Sequence, residues 1–84
     1  MKRIIHALEQ HEAVFVELPD TAAAARFQIE AAAAGFCFGD GAALRERPLG
    51  AVMAVHSNRT VCYPGTAGMT AYQCRTRPVI RFDP

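Results

Sequence analysis

The chain has 84 residues, 51% of them hydrophobic, and a formal net charge of +1 at pH 7. That length closes one core and leaves too little for a second, so residues 1–84 are read as one small domain. No apolar run approaches the roughly 18 residues of a membrane-spanning helix, and a charge this near neutral argues against a general nucleic-acid binder.

The net charge conceals a sorting along the chain. Residues 1–42 hold Lys2, Arg3 and Arg26 against six carboxylates (Glu9, Glu12, Glu17, Asp20, Glu30 and Asp40). Residues 43–84 hold Arg45, Arg47, Arg59, Arg75, Arg77 and Arg81 against only Glu46 and Asp83. Every cation of the second half is arginine, whose planar fork suits bidentate recognition of phosphate or carboxylate.

In chain order, Met1-Lys2-Arg3-Ile4-Ile5 is basic and then apolar, but Glu9, His11 and Glu12 interrupt it too early for a signal peptide, and the expected location is cytoplasmic. Ile4, Ile5 and Leu8 fit a short amphipathic helix, which is preferred here over the strand that Ile4, His6 and Leu8 would also fit. Ala13–Leu18 is β-branched and aromatic and stops at Pro19, which predicts a strand. A helix is expected over Thr21–Ala34, opened by Asp20 and Thr21 as caps and closed by Gly35. Ala24, Phe27, Ala31 and Ala34 form its packing face, with the alanines as spacers that let it lie close to a sheet.

Phe36-Cys37-Phe38 reads as a very short strand with both rings beneath the helix, followed by the glycine turn Gly39–Gly41 and a loop over 42–50. Ala51–His56 and Arg59–Tyr63 predict a hairpin turning at Ser57-Asn58. Pro64–Gly68 reads as a flexible loop, Met69–Cys74 as a further short strand and Pro78–Phe82 as the last. The fold class is therefore α+β: a single layer of three to five antiparallel strands covered by one main helix, with a short N-terminal helix before it.

The candidate chemistry lies in the arginines. If the tail is extended, Arg75, Arg77 and Arg81 share one parity and Ile80 and Phe82 the other, giving an arginine row over an apolar face. Arg45 and Arg47 share a parity in the preceding loop, and Arg59 stands beside the hairpin turn. Tyr72 and Tyr63 are the two side chains able to stack on a base. His6 and His11 lack the i, i+4 spacing of a helical metal pair, and no Cys or His pair has ligand spacing, although Cys37, Cys62, Cys74 and His56 are free to converge in space. Three cysteines without a C-x-x-C pair suit free thiols in a reducing compartment. A Cys62–His56 nucleophilic pair across the hairpin has no orienting third residue and no oxyanion hole.

The order of a strand, an Asp-Thr-capped helix ending in Gly35-Phe36-Cys37-Phe38-Gly39, and a hairpin resembles that of short accessory proteins encoded by phages and prophages. The resemblance spans residues 14–63 and is one of pattern. It implies a non-enzymatic role: some such proteins inhibit bacterial defence systems such as CRISPR effectors, and others sequester nucleotide signals. No functional residue carries over from it.

The expected function is that of a small binding protein that occupies the surface of a protein partner, with no catalytic residue, metal or cofactor. Its candidate binding residues are Arg45, Arg47, Arg59, Arg75, Arg77, Arg81 and Tyr72. The alternative is an oligomer, such as a dimer, gathering Arg59, Arg75 and Arg77 from adjacent chains around a nucleotide or nucleic acid. A thiol-dependent enzyme using Cys62 and His56 is the third reading. Mimicry of nucleic acid by Glu9, Glu12, Glu17 and Asp20 involves too few charges to be preferred.

Overall fold

Five strands and three helices are present in a computed structural model that describes residues 1–83. Helix α1 (Lys2–Leu8) is followed by β1 (Ala13–Glu17), α2 (Thr21–Ala33) and β2 (Cys37–Phe38). A single 3-10 turn (Leu44–Glu46) leads to β3 (Val52–His56), β4 (Thr60–Cys62), α3 (Gly65–Gln73) and β5 (Val79–Arg81). The α+β class and the short N-terminal helix are as expected, but the sheet is mixed, not antiparallel. Its order is β2-β4-β3-β1-β5, with β1/β3 and β3/β4 antiparallel and β1/β5 and β2/β4 parallel.

The parallel pairs follow from two crossovers. One carries α2 from β1 to β2, and the other carries α3 from β4 to β5. They cross the sheet in opposite directions, so a common right hand puts their helices on opposite faces. Beneath α2 lie Val14, Val16, Met53, Val55, Val61, Ile80 and Phe38, all buried and aligned by the register of the strands. On the α3 face, Phe15 meets Tyr72 edge-on, with centroids 5.7 Å apart. Ala13, Val14, Phe15 and Val16 are consequently buried on both sides of β1, as in a sheet covered on both faces.

The ends of α2 obey the sequence. Asp20 is extended (φ −154°), and its carboxylate accepts a 2.8 Å bond from the Ala23 N–H. At the other end Gly35 takes φ +89°, the Phe36 N–H donates to the Ala31 carbonyl and the Gly35 N–H to that of Ala32. This pairing of donors satisfies the last carbonyls and turns Phe36 under the helix. The fully buried stripe is Ala23, Phe27 and Ala31, one turn apart each, while Ala24 and Ala34 are half-buried at its edge. Phe27 meets Phe82 edge-to-face at 5.4 Å.

Residues 64–74 correct the reading of that stretch as a loop and a strand. Gly65–Gln73 is helical, although two glycines and two threonines make it a poor helix in isolation. It buries no residue completely; Met69, Ala71 and Tyr72 are half-buried, and Tyr72 meets Phe15 of β1. The helix exists because β4 and β5 run parallel and stand three places apart, a span that a tight turn cannot bridge. Among the described residues no helix is long and apolar enough to cross a membrane.

Candidate anion-binding groove

The predicted arginines separate into two groups. Arg75, Arg77 and Arg81 converge where α3 feeds β5, and the fold adds Arg3 from α1 and His11 from the turn before β1. These residues line an open groove of about 710 Å³, together with Glu17. Parallel pairing of β1 with β5 builds it: Phe15 lies beside Val79 and Glu17 beside Arg81, which brings the two ends of the chain to one edge. Arg3 and His11 escaped the sequence reading because they reach the groove only through that long-range pairing.

The expected row of three extended arginines is replaced by a different arrangement. Arg75 closes α3 in the left-handed region (φ +55°), so its side chain does not follow the strand parity of Arg77 and Arg81. Its guanidinium lies 5.1 Å from the centroid of the Tyr72 ring. Stacking of this kind holds the guanidinium in place at the wall of the groove. Tyr72 in turn is fixed by Phe15 on one side and by its hydroxyl, which donates to the Glu17 carboxylate. That bond to Glu17, and then burial, raise the Tyr72 phenol above the usual tyrosine range.

The ion pairs decide which cations are available. Arg81 donates from Nε to both carboxylate oxygens of Asp83 at 3.0 Å, which raises its pKa further. Among the described residues Arg3, Arg75 and Arg77 have no carboxylate within 4.0 Å. Three unneutralised guanidiniums around one groove give it a positive potential that the Glu17 carboxylate offsets only in part.

The other predicted arginines stand elsewhere, and two of them, Arg47 and Arg59, are engaged. Arg47 donates to Asp40 at 2.7 Å and lies 5.0 Å from the Phe38 ring centroid, an arrangement that lowers the Asp40 pKa. Arg59, itself left-handed (φ 68°), covers Phe36 at 4.9 Å. Arg45 is exposed on the 3-10 turn, which Gln28 clamps to α2 by donating to the carbonyls of Leu44 and Arg47. Tyr63 stacks on Phe38 at 5.8 Å, and its hydroxyl donates to the Pro48 carbonyl.

The thiols form no centre. The hairpin register sets Cys62 opposite Ala54, two positions away from His56. Among the described residues no three His, Cys, Asp or Glu side chains are grouped as a metal would require. No family model matches the chain, and no curated protein or solved structure matches it either.

Proposed function

We propose that this is a non-enzymatic binding protein whose groove of Arg3, Arg75, Arg77 and Arg81 engages an acidic surface of a protein partner. The observation that carries the reading is the convergence of three unpaired guanidiniums on one open groove of about 710 Å³. Three to four cations suit a short acidic stretch, whereas nucleic-acid grooves track many phosphates and supply aromatic platforms for bases. Here the tyrosines are engaged: Tyr72 by Phe15, Glu17 and Arg75, and Tyr63 by Phe38 and Pro48. The resemblance to phage accessory proteins implies a non-enzymatic role, and inhibition of a macromolecular target is one of the two modes it offers beside sequestration of nucleotide signals.

The test is fluorescence anisotropy with a labelled polyglutamate peptide and a labelled oligothymidylate of equal charge. The expected result is peptide binding that weakens with salt and is lost in the variant Arg75→Glu with Arg77→Glu, whose circular dichroism is unchanged. Tighter binding of the oligothymidylate would replace the protein partner by a nucleic acid. Binding of neither probe, or unaltered peptide binding by the double variant, would remove the groove as a site.

A further inference from the structure

Resting on the acidic-partner reading above, we infer that the open edge of β5 takes an extended acidic segment of the partner as a sixth strand of the sheet. The edge is chemically ready for it. The Pro78 carbonyl accepts from the Phe15 N–H at 2.9 Å, and the Phe82 N–H donates to the Glu17 carbonyl at 2.9 Å. The backbone groups at both ends of β5 therefore address β1. Alternate residues of a strand turn their N–H and C=O groups to opposite sides, so Val79 and Arg81 direct theirs away from the sheet. The strand order ends at β5, and among the described residues nothing is paired beyond it.

The opposite edge shows what closure looks like. Strand β2 has two residues, the Phe38 N–H is taken by the Ala42 carbonyl, and Arg47 and Tyr63 lie against the Phe38 ring. Exposed edges are normally shortened, covered or charged to prevent unwanted pairing. Around β5 the charge is positive in balance: Arg81 is paired with Asp83 and Glu17 also lines the groove, but Arg3, Arg75 and Arg77 have no carboxylate within 4.0 Å among the described residues. A second copy of this chain would bring Arg81 and its neighbouring arginines against their own likes, whereas an acidic strand would be attracted.

Cavities flank the edge on both faces, and they differ. On the α3 side lies the arginine groove, to which Val79 and Arg81 contribute. On the α2 side a second cavity of about 460 Å³ has buried Ile4, Ile80 and Phe82 at its base and Lys2, Arg26, Glu30 and Asp83 around them, a wall of mixed charge. A strand laid along β5 sends alternate side chains to these two faces. The segment that fits therefore carries acidic residues at alternate positions, all turned to the arginine groove, with strand-forming residues such as valine between them, using backbone hydrogen bonds for affinity and the groove for selection.

The experiment compares two labelled heptapeptides of one composition, Glu-Val-Glu-Val-Glu-Val-Glu and the block form Glu-Glu-Glu-Glu-Val-Val-Val, on the wild type and on Val79→Pro. Proline at 79 removes an N–H that does not face β1 and alters no charge. The alternating peptide should bind about tenfold more tightly than the block form, the scale of roughly one net backbone hydrogen bond. Val79→Pro should erase that difference. In the wild type, the Val79 and Arg81 amides should shift in the ¹⁵N spectrum and exchange more slowly on binding, a readout that does not depend on the variant folding. Equal binding of the two peptides, with those amides unmoved, would overturn strand addition and leave the charged groove standing. Failure of both peptides to bind the wild type would overturn the groove reading as well.

Discussion

Stability should be distributed very unevenly between the two faces of the sheet, and a pair of truncations measures this. Phe27 is 0% exposed, belongs to the same buried cluster as Val14, Val16, Met53 and Val55, and meets Phe82 edge-on. Truncating a buried phenylalanine to alanine costs about 3–5 kcal/mol, the transfer term plus the cavity left behind. A domain of this length has roughly 4–12 kcal/mol in all at typical per-residue values. Phe27→Ala should therefore remove a large part of the total and lower Tm by roughly 12–40 °C, at about 4–8 °C per kcal/mol. Met69→Ala on α3, a helix with no fully buried residue, should cost only about 1 kcal/mol or less. Urea titration and thermal melting followed at 222 nm give both values. A loss below about 1 kcal/mol for Phe27→Ala, or equal losses at the two sites, would refute the asymmetry.

Three further outcomes are expected. In a spectrophotometric titration at 295 nm, one of the two tyrosines should ionise above the usual tyrosine range, and Glu17→Gln should bring it back, since the bond to Glu17 is the main cause of the shift. Because the folded value is raised, the stabilisation from Tyr72 is complete below about pH 10 and is lost as pH rises through the raised value, so Tm should fall in that window. Gly35→Ala meets no atom within 4 Å but must hold φ +89°, so it should cost about 1–2 kcal/mol of backbone strain in urea titration, with Asn recovering part of it.

What the sequence disclosed was local, and what it concealed was long-range. Asp20 and Gly35 announce the ends of α2 through their own side-chain and backbone chemistry, and Ser57-Asn58 marks a hairpin whose strands are neighbours in the chain. The parallel pairings of β1 with β5 and β2 with β4 leave no local trace, which is why the sheet was expected to be antiparallel. Helix α3 was hidden for the same reason: Gly65, Thr66, Gly68 and Thr70 favour a loop or strand until the crossover over the sheet imposes a helix. At the groove, Arg75, Arg77 and Arg81 were visible as a cluster because they are close in sequence. Their partners Arg3 and His11 were not, and Arg45, Arg47 and Arg59 carried the same composition signal without sharing the place.

The pairing of β1 with β5 also fixes the order of events in making the protein. Phe15 must wait for Val79 before the ladder between them can close, and contacts of such separation form late because the loop must be closed before they are rewarded. Before β5 joins, the β3–β4 hairpin and its pairing with β1 can form, whereas Phe27 of α2 still lacks Phe82 and the arginine groove does not yet exist. The groove proposed above therefore forms only once β5 has joined the sheet.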